Sequence, residues 1–232
     1  MTTLQKVEVA SALRRLHTKA GGDWRVFARA LPTAMLGSLR GRSLVESAKP
    51  FLKDAYIPID AAQGEALYLL ARAAGAQRIV EFGTSFGIST IYLAAAVRDN
   101  GGGEVITTEL EPFKAAAARK NFEDAGLSDL IDVRVGDAMQ TLRDAPWPVD
   151  LVFLDGWKEL CLPVLQLVEP KLRPNAVILC DDMKAFRKTL KPLVDYLRDP
   201  AGAYQSMALP LGDELEFAVF RPPGTQMARP VA

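Results

Sequence analysis

Histidine is almost absent from this sequence, and cysteine is scarce. The one histidine, His17, lies in the polar stretch LRRLHTK, which we predict to be a surface helix. Because the only histidine is predicted on a surface helix, a catalytic triad built on histidine is not indicated, and zinc sites built on several histidines are excluded. The two cysteines, Cys161 and Cys180, match no metal-ligand spacing, which indicates reduced core thiols in a cytosolic protein.

The sequence also lacks an excess of charge and a long hydrophobic run. Lys and Arg together number 28, as do Asp and Glu, so the net charge does not favour binding to nucleic acid. The opening stretch MTTLQKVEVASALRRLH has no apolar signal core, and no run approaches the length of a membrane span. We therefore expect a cytoplasmic protein whose partners include neither nucleic acid nor a membrane.

The hydrophobic pattern divides the chain into three parts. Residues 1–58 read as helices with polar breaks, and residues 222–232 read as a disordered tail. Between them, residues 59–221 begin with a helical pattern and continue with short runs rich in Val and Ile, which alternate with helical stretches. This alternation predicts βαβ units and a parallel sheet, and the runs SMALPL and LEFAVFR around GDE predict a closing β-hairpin.

The first predicted strand ends in an unusual turn, IVEFGTSFGIST. Glu81 ends the strand, and Gly83 and Gly87 follow it at a spacing that allows the backbone to approach a ligand. The dinucleotide pattern G-x-G-x-x-G would also require glycines where Ser85 and Ile88 stand, so a pyrophosphate ligand is not indicated. A plain strand-to-helix turn is the alternative, although it would need neither the acid nor Gly87.

The next two strands also end on acids. Glu109 ends the run EVITTE, where a carboxylate can accept hydrogen bonds from both ribose hydroxyls. Asp137 follows the third strand, in a position to accept from an adenine amino group. Each acid alone fits a solvated turn, but together they outline an adenosine without a diphosphate.

Three further carboxylates and a lysine follow the fourth and fifth strands. Asp155 and Lys158 lie in LVFLDGWK, and Asp181 and Asp182 end AVILCDD. If these strands are neighbours, the carboxylates converge, and a divalent cation with oxygen ligands would offset their repulsion. Three exposed turn acids that repel one another mildly in water remain the alternative.

The motifs EFGTSFGIST, TTELEP, VGDA, LVFLDGWK and LCDD, in that order, resemble the catechol O-methyltransferase-like family of class I S-adenosylmethionine-dependent O-methyltransferases. The resemblance implies an α/β fold: a single doubly wound, Rossmann-like domain over residues 59–221, preceded by N-terminal helices. Its seven-stranded sheet would be mostly parallel, with a C-terminal antiparallel hairpin.

The resemblance also assigns roles to residues at the strand ends. It implies that S-adenosylmethionine contacts Glu81, Gly83, Thr84, Ser85, Gly87, Ser89, Glu109, Leu110, Asp137, Ala138, Asp155 and Trp157. The catalytic residues would be Lys158, as general base with a depressed pKa, and Asp155. The acceptor pocket would form from residues 56–59, Met183–Lys184 and 212–214.

The same resemblance places a metal ion, normally Mg²⁺, on Asp155, Asp181 and Asp182. The family usually has asparagine where this chain has Asp182. Three carboxylates leave a formal charge of −1 on bound Mg²⁺, which would weaken acidification of a bound phenol. Ca²⁺ or Mn²⁺ could be preferred instead, or metal dependence could have been lost.

The expected function is therefore transfer of a methyl group from S-adenosylmethionine to a hydroxyl of a small molecule, a catechol or a phenol, with a divalent metal. The alternatives are a metal-independent methyltransferase acting on another small nucleophile, an NAD-dependent oxidoreductase, and a descendant that binds without catalysis. We expect a homodimer formed through the N-terminal helices, because residues 26–57 are rich in apolar side chains.

Overall fold

The computed structural model describes residues 1–20, 59–145 and 148–222. The predicted N-terminal segment beyond residue 20, the predicted dimer surface at 26–57, most of the acceptor segment 56–59 and the tail from residue 223 lie outside the described residues. The proposed division of the chain at residues 58 and 221 therefore stays a prediction. Within the described ranges, no helix combines the length and apolar character needed to cross a membrane.

One seven-stranded sheet forms the centre of the molecule. Its spatial order is β3-β2-β1-β4-β5-β7-β6, and every pairing is parallel except those of β7, which is antiparallel to both β5 and β6. The predicted fold class is thus confirmed, including the C-terminal hairpin. The strands are β1 (Arg78–Phe82), β2 (Glu104–Glu109), β3 (Ile131–Val135), β4 (Val149–Leu154), β5 (Leu172–Cys180), β6 (Tyr204–Leu209) and β7 (Leu215–Phe220).

Helices cover both faces of this sheet, and each face has its own hydrophobic core. Successive side chains of a strand point to opposite faces, so Leu151 and Phe153 of β4 join one core, whereas Val152 and Leu154 join the other. The first core contains α1 (Val7–Ala20), α2 (Ala61–Ala73), α3 (Ile88–Asp99) and α4 (Pro112–Asp124); the second contains α5 (Ala138–Thr141), α6 (Cys161–Val168) and α7 (Arg187–Leu197).

Helix α1 belongs to the first core and packs against its other helices. Its apolar face, with Val9, Leu13 and Leu16, lies against α3 and α4. Ahead of it, the Thr3 backbone N–H and hydroxyl donate to the carboxylate of Asp99 at the end of α3. This end of the predicted N-terminal segment is therefore an integral part of the domain's core.

The order of the strands reverses between β1 and β4, and this is where an open α/β sheet offers a crevice for a ligand. Two glycines allow the β1–α3 turn to close over it. Gly83 has a φ of +107°, and a Cβ there would lie 2.7 Å from the backbone nitrogen of Gly156 beyond β4. Gly87 has a φ of +86°, and a Cβ there would lie 2.2 Å from the Phe122 ring of α4. The turn thus depends on close approaches that only glycine permits.

Gly87→Ala should destabilise the fold more than Gly75→Ala, which is the matched control. Both residues have positive φ, but a Cβ at Gly75 would meet nothing within 4 Å. The left-handed conformation costs an alanine about 1–2 kcal/mol at either position. At Gly87 the clash with Phe122 adds about 1–3 kcal/mol. Urea unfolding measures both free energies of unfolding, and equal losses would contradict the packing argument.

Candidate active site

A cavity of about 1050 Å³ lies beyond the carboxyl ends of the parallel strands. It extends from the β1–α3 turn to the start of α7. Ten of the predicted site residues contribute to its wall: Gly83, Ser85, Glu109, Leu110, Asp137, Ala138, Asp155, Trp157, Lys158 and Asp182. The described wall does not include the other five, which are Glu81, Thr84, Gly87, Ser89 and Asp181.

Glu109 is the acid whose carboxylate is best fixed at the cavity. The backbone N–H of Ser85 donates to its Oε2 at 2.7 Å, and the backbone N–H of Glu111 donates to its Oε1 at 2.9 Å. Ser85 adopts a left-handed φ of +48°, which is uncommon for a residue with a side chain. The β1–α3 turn therefore orients the Glu109 carboxylate. The remaining lone pairs of the carboxylate oxygens can accept hydrogen bonds from a ligand.

The residues predicted around an adenine lie beside Glu109. Asp137 caps α5 by accepting from the Met139 backbone N–H at 2.9 Å, while its carboxylate stays exposed. Leu110 is 48% exposed, and Trp157 is half-buried against the second core. Leu110, Trp157 and Asp137 thus bring two apolar surfaces and one carboxylate to the same cavity.

Glu81 lies behind the turn rather than in the cavity wall, and it is 0% exposed. Its Oε2 accepts from the hydroxyls of Thr90 at 2.5 Å and Thr107 at 2.6 Å, whereas Oε1 has no hydrogen-bond partner among the described residues. Burial raises the pKa of Glu81 to about 7, against the opposing effect of the nearby Ser89, Thr107 and Thr90 hydroxyls.

Lys158 connects the ends of β4 and β5. Its Nζ lies 2.8 Å from Asp155 Oδ1 and 2.9 Å from Asp182 Oδ2, and the residue is only 7% exposed. The ammonium also lies 5.6 Å from the centre of the Phe186 ring. Asp155 from the end of β4, and Asp182 and Phe186 from the loop after β5, therefore hold the lysine in place.

The electrostatics of Lys158 differ from the expectation of a depressed pKa. Burial alone would lower its pKa, but the charges of Asp155 and Asp182 outweigh that effect and raise the pKa well above its usual value. Lys158 is consequently a cation at neutral pH. A proton donor of this kind can stabilise an anionic oxygen, whereas a general base would have to be neutral.

Asp181 does not join the other two carboxylates around the lysine. It is 4% exposed, and its Oδ1 accepts from Gln63 Nε2 of α2 at 2.7 Å. Burial and the charges of Asp155 and Asp182 raise the pKa of Asp181 to about 7. No group of three or more His, Cys, Asp or Glu side chains in the described part of the chain is placed to hold a metal ion. Metal binding by Asp155, Asp181 and Asp182 therefore stays a prediction.

The sequence did not single out two parts of the wall. Residues 185–189 line the cavity together with Lys184, which had been predicted. They follow a loop that is paired with the hairpin turn, because the backbone N–H groups of Met183 and Lys184 donate to the carbonyls of Glu214 and Asp213. Lys114 of α4 also lines the cavity. The charged run KAFRKT after the fifth strand is the sequence feature that could have predicted residues 185–189 as part of the wall.

Glu81→Gln should change how stability depends on pH. The folded carboxyl keeps its proton up to a pKa of about 7, whereas the ordinary value is 4.5, so the folded state binds more protons between these values. The wild type therefore loses stability as pH rises through this window. The variant lacks that loss. Its free energy of unfolding, relative to that of the wild type, should therefore rise by on the order of 3 kcal/mol between pH 4.5 and pH 8.

Chemical unfolding at several pH values without cofactor measures this difference. Glu104→Gln, at the exposed far end of β2, is the control and should follow the wild-type pH profile. If Glu81→Gln followed that profile too, the buried Glu81 would not be titrating in this range.

Comparison with known proteins agrees with this architecture. Residues 80–183 match a family described as a methyltransferase domain. The chain is 41% identical over 128 residues to a catechol O-methyltransferase of Mycobacterium tuberculosis, covering 55% of this chain and 57% of that protein. It is 34% identical over 145 residues to a catechol O-methyltransferase of Niastella koreensis, covering 61% of this chain and 62% of that protein.

A solved structure supports the same assignment. The O-methyltransferase from Bacillus cereus in complex with SAH superposes with a TM-score of 0.64 at 26% identity, over 71% of this chain and 83% of that one. The alignments with the two curated relatives reach less than two thirds of the length of either. The resemblance predicted from the sequence is confirmed: residues 80–183 match a methyltransferase-domain family, and the chain is similar to the two catechol O-methyltransferases over 128 and 145 residues.

Proposed function

We propose that this protein transfers a methyl group from S-adenosylmethionine to a hydroxyl of a small catechol or phenol. The observation that carries the proposal is the single cavity that joins the fixed Glu109 carboxylate at one end to Lys158 at the other. A cofactor bound at the first end would direct its reactive methyl group towards an acceptor at the second. Relatives that are O-methyltransferases, one of them in complex with SAH, support the same reading.

The cofactor end suits an adenosine with a cationic tail better than a dinucleotide. Glu109 offers acceptor oxygens for ribose hydroxyls, and Leu110 and Trp157 offer apolar surfaces for a base. The glycine pattern for a pyrophosphate is missing, since Ser85 and Ile88 stand at two of its three positions. These features favour S-adenosylmethionine over a nicotinamide cofactor.

At the acceptor end, Lys158 would act as a hydrogen-bond donor to the acceptor oxygen. The hydroxyl proton would pass to a water molecule, and the ammonium would stabilise the negative charge left on that oxygen. A lone pair of the oxygen then forms the new C–O bond while the C–S bond of the sulfonium breaks, and a neutral thioether leaves. Opposite charges disappear in this step, so the water-poor surroundings of Lys158 favour it. Asp155 would orient the lysine through its 2.8 Å ion pair.

A metal-independent reaction is the second candidate for the mechanism, and one observation favours it. Asp155 and Asp182 both direct an oxygen at Lys158, whose charge partly neutralises the pair. Asparagine in place of Asp182 would leave the lysine only one carboxylate partner. Asp182 therefore suits a site whose cation is the lysine itself. Binding of Mg²⁺, Ca²⁺ or Mn²⁺ stays a prediction, and no step here is assigned to it.

Calorimetric titration with S-adenosylmethionine should give saturable binding, and NADH should give none. Glu109→Ala should weaken cofactor binding by about 10- to 100-fold, because two hydrogen bonds to a charged acceptor are lost. Glu104→Ala, at the opposite end of the same strand, is the matched control and should bind as the wild type does. Binding of NADH in place of S-adenosylmethionine would overturn the proposed function.

Titration of Mg²⁺, Ca²⁺ and Mn²⁺ into protein saturated with S-adenosylmethionine tests the metal. If Lys158 is the cation of the site, no saturable heat appears, and methylation of a catechol continues in excess EDTA. The variant Asp155→Ala shows whether any heat of metal binding arises at this site. Saturable binding that disappears in this variant would restore the metal-dependent mechanism.

A further inference from the structure

Three cations lie close together on the acceptor side of the cavity. Lys184, Arg187 and Lys188 line it on the loop after β5 and the first turn of α7, and all three are exposed. In the sequence they flank Phe186, which also lines the cavity and whose ring lies 5.6 Å from the Lys158 ammonium. A molecule with its reacting oxygen at Lys158 could therefore extend towards them without leaving the cavity.

These three cations make few ion pairs or hydrogen bonds with the described residues of the protein. Arg187 and Lys188 make no ion pair or hydrogen bond with any residue in the ranges 1–20, 59–145 and 148–222. Lys184 reaches a carboxylate only at 4.0 Å, in Glu214. One turn further along the same helix, Lys191 is paired with Asp195 at 2.5 Å, and neither residue lines the cavity. Among the described residues, the charges of α7 are thus paired away from the cavity and unpaired at its edge.

The position of the pair also disfavours a purely structural role. A helix N-terminus carries a partial positive charge, so cations in the first turn destabilise the helix slightly. The first turn of α7 nevertheless begins with Arg187 and Lys188 and contains no acid. Two positive charges therefore lie at a helix terminus whose partial positive charge favours negative side chains.

The nearby acids leave the positive charge of this edge largely uncompensated. Asp182 is engaged with Lys158, and the Asp213 carboxylate accepts from the Ala185 backbone N–H at 2.6 Å. Glu214 faces Lys184. None of the described acids forms an ion pair with Arg187 or Lys188. An anionic ligand group would supply the missing negative charge.

We propose that the acceptor carries an anionic group, a carboxylate or a phosphate, which Arg187 and Lys188 bind with help from Lys184. The proposal rests on the proposed function, because it names the class of acceptor for the same cavity. Arginine presents a planar fork of donors that matches a carboxylate or phosphate, and lysine adds a compact charge. These residues would select an anionic catechol or phenol over a neutral one.

Binding of matched acceptors to the protein saturated with S-adenosylhomocysteine tests the proposal without requiring turnover. The probes are 3,4-dihydroxybenzoate, its neutral analogue 3,4-dihydroxybenzamide, and 3,4-dihydroxybenzyl phosphate with its neutral alcohol. In the wild type, at least one anion should bind about tenfold more tightly than its neutral partner. The anion with the larger ratio identifies the group that the site prefers.

The double variant Arg187→Gln/Lys188→Gln should reduce that ratio to about one. Lys191→Gln, on the same helix but outside the cavity wall, is the matched control and should keep the wild-type ratio. Equal binding of anion and neutral partner in the wild type, no binding of either, or a ratio that survives the double variant would overturn the proposal. Failure of the cofactor to bind is a separate result, because it would overturn the proposed function itself.

Discussion

The site depends on one buried ionic cluster, in which Lys158 lies between Asp155 and Asp182. Two carboxylates at the ends of neighbouring strands would repel each other in partly buried surroundings, and the ammonium removes much of that repulsion. In return, the carboxylates keep a 7% exposed lysine charged. Removing Lys158 would leave two neighbouring negative charges, whereas removing either aspartate would take away one of the two contacts that keep the lysine charged, so the three residues act as a unit.

The sequence predicted the fold, and ten of the fifteen predicted site residues line the cavity. The alternation of strands and helices is a local pattern, and parallel strands bring their carboxyl ends to one edge. For this reason acids such as Glu109, Asp137 and Asp155 could be assigned to a common site without knowledge of any contact. Their spacing also carried the resemblance that the comparisons confirm.

Five predicted site residues do not line the cavity, and for Glu81 and Asp181 the reason is the direction in which their side chains face. Neighbouring positions of a strand face opposite sides of the sheet. Glu81 therefore points under α3 to Thr90 and Thr107, and Asp181 points to Gln63 of α2 rather than to the cavity beside Asp182. The charge state of Lys158 could not be read from the sequence either, because it depends on two distances across the sheet.

The order of the last strands has a consequence for how the protein can be made. Strand β7, the last of the described strands, lies between β5 and β6 and pairs with both. While the chain emerges from the ribosome, β5 has a free edge and β6 has no partner until residues 215–220 appear. The sheet can therefore close only after residue 220 has emerged, and a nascent chain that stalls earlier exposes an aggregation-prone edge.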